Sequence, residues 1–465
     1  MIRLKGGNDG LNTFIPVHDF GTYRAKRPDI FIPESSTVKL TPSLAMHPQL
    51  GDLRPLWQEG GMRVLHSVGY EDQSLSHFRS SDIWATASEA DEYVSSGVFG
   101  RYLQDAYPDF LTSPPATPPA IQIGGVGNLL FNNQDDFNYA ISTSDPEQLY
   151  DIARSGQLYP MDDLPACTYG EQLGYLRAVA NTTFRYAGVL AETYGRGRND
   201  AEYQDDDLGR QLALVARLLR GGLETRLFVV ELDGFDTHAN QADDHAKRLQ
   251  SVATNVSSFF ADLATDGNDE RVLAMTFSEF GRRVEQNGSQ GTDHGAAAPM
   301  MVFGPALQNN ATIGPPPTLD DTDDHGNLRA ATDYRSVYAT VLSRWLCIDD
   351  GLVDEVMGKR FPRLDALGLN CVSTSTAYQE QKLAGIGLSA YRSGTEIVVT
   401  YELAAAARVD VHLYDAVGRR VATGFRGEGQ VGDNRHRIPG HLPDGIYIVT
   451  VETGGRGYST RLPLF

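Results

Sequence analysis

Four stretches of this 465-residue chain gather Asp, Glu, His and Ser, three of them beside glycines. They are Gly6-Gly-Asn-Asp9-Gly10, Ser74-Leu-Ser76-His77, Asp233-Gly-Phe-Asp236-Thr-His238, and Ser278-Glu279-Phe-Gly-Arg282 followed by Gly291-Thr-Asp293-His294-Gly295. Carboxylates and imidazoles are the donors that hold Zn²⁺, Mn²⁺, Mg²⁺ or Ca²⁺. Asp236 and His238 stand two apart in a glycine-rich loop, so both side chains can reach one ion. Such an ion polarises a phosphoryl or sulfuryl oxygen and makes an attacking water or hydroxyl more acidic. Ser76 opens a helix expected over Ser76–Ala87, and a helix N-terminus is a natural anion site. The combination suits hydrolysis or transfer at an anionic ester. Each piece alone has a plainer reading. A lone Asp-x-His is more often a loop hydrogen-bond pair, Gly-Gly-Asn-Asp-Gly a turn, and Ser74, Ser76 or Ser278-Glu279 a helix cap. His18, His47, His245 and His325 carry no supporting pattern and read as structural or surface residues. What raises the chemical reading is where the four stretches fall.

Each follows an apolar, strand-like run. One run opens the chain. Others are Arg63-Val-Leu-His-Ser67, Arg226-Leu-Phe-Val-Val-Glu-Leu232 and Arg271-Val-Leu-Ala-Met-Thr-Phe277, with a further strand at Pro299-Met-Met-Val-Phe303. Between them, Leu208, Leu212, Val215 and Leu219 fall at helical spacing, and helical sequence runs through His245–Leu263. Alternating strands and helices predict an α/β fold, a mostly parallel sheet with helices on both faces. In such sheets ligands bind outside the carboxyl ends of the strands, so the four stretches would share one rim.

The pattern changes after about residue 380. Glu396-Ile-Val-Val-Thr-Tyr-Glu-Leu403 and Val409-Asp-Val-His-Leu-Tyr414 alternate apolar and polar residues, as half-buried antiparallel strands do. Turns are expected at Asp415-Ala-Val-Gly418 and Gly454-Gly455. The reading is residues 1–372 as the α/β domain, 373–385 as a linker, and 386–465 as a small all-β sandwich. Forty basic against 60 acidic residues give −20, which disfavours nucleic acid or an anionic membrane as partner. Residues 386–465 hold nine Arg against eight Asp and Glu, or +1, so the front part carries the acidity. No run approaches the roughly 18 apolar residues of a membrane span. Cys167, Cys347 and Cys371 are too few for a disulfide framework and leave the redox compartment open. Gly6 follows Met1 too closely to leave room for a leader.

Gly6-Gly-Asn-Asp-Gly-Leu-Asn12, Ser76-His-Phe-Arg-Ser-Ser-Asp-Ile-Trp84, Gly234-Phe-Asp-Thr-His238, Ser278-Glu-Phe-Gly-Arg282 and Gly291-Thr-Asp-His-Gly295 together resemble the domain-of-unknown-function family 1501. The resemblance runs from residue 1 to about 370. That family is similar to the alkaline phosphatase and sulfatase superfamily, which implies an alkaline phosphatase-like sheet with one or two divalent metals at its strand ends. By this resemblance Asp9, Asp236, His238, Glu279 and His294 are the metal ligands. Ser76, with Ser74 behind it, stands at the nucleophile position. His77 and Arg282 complete the candidate catalytic set, Arg282 to steady the developing anion. Ser278-Glu279 replaces the superfamily's Asp-His, and no Cys lies near Ser76, so modified-cysteine sulfatase chemistry is disfavoured.

The tail resembles the type A sorting domain of the type IX secretion system, through Val409-Asp-Val-His-Leu-Tyr-Asp-Ala-Val-Gly-Arg419 and Leu442-Pro-Asp-Gly-Ile-Tyr-Ile-Val449. It lacks the usual Asn-Pro opening and a Lys-rich end. This resemblance implies the type IX machinery as partner, a secreted or cell-surface location, and a natural start upstream of Met1. The expectation is thus a secreted metal-dependent hydrolase of a small phosphate or related anionic ester, or of a glycan-type substrate. Two alternatives stand beside it. One is a non-catalytic surface binding protein with a partial metal site, and the other is a protein whose metal serves folding alone.

Overall fold

In the computed structural model the described residues are 1–124, 129–135, 137–143, 152, 154–161, 163–165, 167–307, 309–371, 388–393, 396–403, 405–415, 419–439, 442, 443, 445–453 and 456–464. The expected linker and the two tail turns at 415–418 and 454–455 fall wholly or largely outside them. The chain divides into two compact units, Met1–Cys371 and Val372–Phe465.

The first unit is built on a nine-stranded sheet. Its strands are β1 (Ile2–Lys5), β2 (Met62–Gly69), β3 (Ala120–Ile123), β4 (Ala140–Thr143), β5 (Leu227–Asp233), β6 (Ala274–Phe277), β7 (Ala298–Phe303), β8 (Thr312–Ile313) and β9 (Thr332–Asp333). The order is β8-β2-β7-β6-β1-β5-β3-β4, with β9 pairing the β8 edge of β2. β1 lies parallel to β5 and β6, and β3 parallel to β4 and β5. The strand at 298–303 does not join the parallel set; β7 runs antiparallel to both β2 and β6. The physical reason is its connection. A short two-stranded ribbon, Gly281–Arg282 against His294–Gly295, turns the chain back at the rim. A parallel strand would need a crossover of a dozen or more residues returning to the far end. The chain therefore enters β7 from the rim at which β1, β2, β5 and β6 end.

Alternate residues of the central strands enter two apolar cores. Met275, Met300 and Val302 join Ile83, Trp84, Phe99, Tyr334 and Tyr338. Ala274, Met301 and Phe303 join Leu212, Val215, Leu249, Val256 and Phe260. The first set comes from α1 (His77–Thr86), α2 (Val98–Ala106) and α5 (Tyr334–Thr340), and the second from α3 (Asp207–Arg220) and α4 (Gln241–Ala264). Helices thus cover both faces, as strands buried on both sides require. Cys347 and Cys371 form a disulfide with Cα atoms 5.3 Å apart, a pairing the sequence reading left unassigned. Cys167 is free and exposed.

Among its described residues the second unit is all β, with two antiparallel sheets. Strands Ser389–Ser393, Glu396–Leu403 and Gly432–Pro439 form one, and Arg420–Gly429, Ala407–Asp415, Gly445–Thr453 and Arg456–Leu464 the other. Ile397, Val399, Val409, Val411, Ile438 and Val449 share a single core between them. Among the described residues no helix is long and apolar enough to cross a membrane.

Candidate metal centre

The rim of the sheet brings together three groups that could hold one ion. Each of His77, Asp236 and His294 offers a ligand atom, and these atoms lie within 4.8 Å of one another. Local structure places each. His77 is the first residue of α1, after the loop that leaves β2. Asp236 lies three residues beyond the end of β5, and His294 on the ribbon that leads into β7. His238 joins the group, its Nε2 3.0 Å from both His294 Nε2 and Asp236 Oδ1. His294 Nε2 stands 3.1 Å from Asp236 Oδ1, and His77 Nε2 3.4 Å from Asp236 Oδ2. Gly6 makes room for this loop. At φ +120° it adopts a conformation that L side chains rarely take, and a Cβ there would meet Asp236 N at 2.3 Å.

The imidazoles share one orientation. His294 Nδ1 faces the carbonyl oxygen of Leu75 at 2.8 Å. His77 Nδ1 faces Glu279 Oε1 at 2.9 Å, and His238 Nδ1 faces Asp293 Oδ1 at 3.5 Å. A carbonyl or an ionised carboxylate only accepts, so each Nδ1 carries the N–H, and the Nε2 atoms on the Asp236 side are the ones a neutral ring leaves free to bind an ion. His238 Nε2 and His294 Nε2 lie 3.0 Å apart, both beside the Asp236 carboxylate, a grouping that a cation could bridge. Zinc bonds of about 2.0–2.1 Å place tetrahedral ligand atoms roughly 3.3 Å apart, close to these separations. The donor set thus fits a borderline ion such as Zn²⁺. Hydrogen bonding to Glu279 raises the His77 pKa, outweighing its partial burial. Burial lowers that of His294. Burial alone would raise the Asp236 carboxyl, but bonds from Arg282 and His294 hold it down at about 2.

The remaining expected site residues lie elsewhere or do other work. Asp9 is apart from the cluster and wholly buried, both oxygens accepting from Arg27 Nη1 at 2.9 and 2.6 Å. Gln241 also donates to it. Around them His245 Nε2 meets Asn8 Oδ1 at 3.1 Å, and His47 packs edge-on to His245. Burial holds both of these histidines down at about 4. Glu279 is 1% exposed and touches the cluster only behind His77. Arg282 bonds the carbonyls of Gly7 (2.7 Å), Thr292 (2.8 Å), Phe235 (2.9 Å) and Gly6, and also Asp236 Oδ1 (2.7 Å). Its donors clamp the loops that carry the cluster. Ser76 is exposed and caps α1, its Oγ accepting from Arg79 N at 3.5 Å. Ser74 Oγ accepts from Ser76 N at 3.3 Å.

Sequence reasoning placed His77 among catalytic groups and not beside Asp236. The available signal was its position at the start of the helix after a rim strand. It missed Arg27 as the partner of Asp9 and Asp293 behind His238. The Asp293-His294 pair was visible in the sequence, but nothing local tied Arg27 to Asp9. Residues 186–365 match the model of a family described as Protein of unknown function (DUF1501). That span contains Asp236, His238, Glu279, Arg282 and His294, and stops short of Asp9 and His77. No curated protein matches the chain.

Proposed function

We propose that this chain is a metal-dependent hydrolase of a phosphate or related anionic ester, and that it works outside the cell or at its surface. One observation carries the reading. Three imidazoles, each with Nδ1 against an acceptor, turn Nε2 toward one carboxylate. A divalent ion held there by His77, Asp236, His294 and His238 would supply a fixed positive charge that polarises an ester oxygen and eases deprotonation of an attacking water. The chain's own residues do the rest. Arg282 fixes Asp236 against the loops of β1 and β5. Gly6 lets the backbone of the Asp236 loop approach the end of β1 closely. The rim position is where open α/β sheets bind small ligands.

The tail supports export. Its two small antiparallel sheets are compatible with the sorting domain that its sequence resembles, and the Cys347–Cys371 disulfide suits an oxidising compartment. The non-catalytic reading keeps one observation of its own. Ser76 is engaged as a helix cap, and Arg282 spends its donors on loops, so neither stands free to attack or to steady an anion.

Metal content of the purified protein, measured with turnover of phosphomonoester, phosphodiester and sulfate ester, separates the readings. Native protein is expected to carry a stoichiometric ion and to hydrolyse one ester class, and His294→Ala to lose both. Metal without turnover on any ester favours a binding role. Absence of stoichiometric metal removes the hydrolase reading.

A further inference from the structure

We propose that Glu279 is a positioning residue that works through His77, fixing the Nδ1–H form of that imidazole so that Nε2 is presented to the metal centre. Its consequence for metal affinity rests on the function proposed above. Resemblance gave Glu279 a place among the ligands; the geometry gives it another task. The ligand atoms that converge belong to His77, Asp236 and His294, and Glu279 is not in that group. Glu279 Oε1 instead lies 2.9 Å from His77 Nδ1, the ring nitrogen turned away from Asp236, and also accepts from Gly6 N at 2.9 Å. Its other oxygen, Oε2, is buried with no hydrogen-bond partner among the described residues.

That arrangement is costly for stability alone. A buried carboxylate oxygen without a partner loses hydration and recovers nothing. What the placement achieves is a carboxylate behind an imidazole, which fixes the tautomer and makes Nε2 a stronger donor to a metal. Gly6 N holds Oε1 from the loop after β1, so the same contact joins the two strand ends that flank the site. The main chain at 279 is pinned independently. Its carbonyl accepts from Gln73 Nε2 at 2.8 Å, from Trp84 Nε1 at 3.0 Å and from Ser80 Oγ. Changing the side chain therefore leaves the strand end anchored.

The test uses the full chain and zinc alone. Chelator competition gives the zinc Kd of native protein, Glu279→Gln and Glu279→Met, each also in a His77→Ala background. Glutamine keeps an acceptor for the His77 N–H, so it should weaken zinc less than methionine, whose loss is expected at roughly 10–100-fold. Both losses should vanish when His77 is absent. Equal losses with and without His77 make Glu279 a direct ligand and overturn the proposal. Ring ¹⁵N shifts of His77 in zinc-free native protein above pH 9 read the tautomer without any variant. The Nδ1–H form is expected, and the Nε2–H form overturns the proposal. Native protein that takes up no zinc while His77 keeps Nδ1–H defeats the hydrolase reading and leaves the positioning role standing.

Discussion

Two centres built from the same residue types lie in this α/β unit, and they differ in how their charge is balanced. Around Asp9 a carboxylate, two histidines and two amides are buried with a guanidinium among them, and Asp9 and Arg27 are both 0% exposed. The cation is part of the protein. Around Asp236 three imidazoles turn Nε2 toward a carboxylate at the open rim, and the fixed cation Arg282 bonds that carboxylate while spending most of its donors on backbone carbonyls. The first centre is closed and serves the fold. The second has its carboxylate on Arg282 and keeps imidazole nitrogens at the rim, where an ion from solution could bind. Acidic and imidazole residues in glycine loops therefore do not by themselves define a metal site. What separates the two is whether imidazole nitrogens are buried or reach the rim.

Removing the internal cation should break the contrast most severely. Arg27→Met strands a buried carboxylate, with an expected loss of about 3–5 kcal/mol in denaturant unfolding. Zinc uptake by the fraction that remains folded should not change. Loss of zinc binding in that folded fraction would mean that the two centres are one.

Acid should act on the closed centre next. His47 and His245 are held neutral at about 4 by burial, against 6.5 when unfolded. Between those values the unfolded chain takes up a proton that the folded chain refuses, so stability falls as pH drops from about 6.5 to about 4. One such group accounts for on the order of 3 kcal/mol across the window. A flat pH–stability curve there would show that these imidazoles are hydrated in solution.

Zinc should sharpen the difference with a smaller effect. At 100 times Kd it should stabilise native protein by about 2.7 kcal/mol. Asp236→Asn should lose that increment, and without metal it should cost roughly 1.5–3 kcal/mol, because the buried Arg282 guanidinium loses its carboxylate partner. A zinc increment that survives Asp236→Asn would move the ion elsewhere.

The cores of both units were legible because strand and helix periodicities are local. Val64 and Leu65 or Met300 and Met301 declare a strand buried on both sides with no knowledge of its neighbours. The rim loops were legible for the same reason, since Asp236 and His238 lie two residues apart. Partnership was not. Asp9 meets Arg27 across 18 residues, and His77 meets Glu279 across 202.

The chain's own pattern thus determined an α/β body, a β tail, and a rim rich in carboxylates and imidazoles. Folding decided the direction of β7, the pairing of Cys347 with Cys371, the burial of Asp9 on Arg27, and the entry of His77 beside Asp236. Periodicity and turn chemistry are written over a few residues. Charge compensation and ligand convergence depend on distances of a few ångströms between groups that only chain closure brings together.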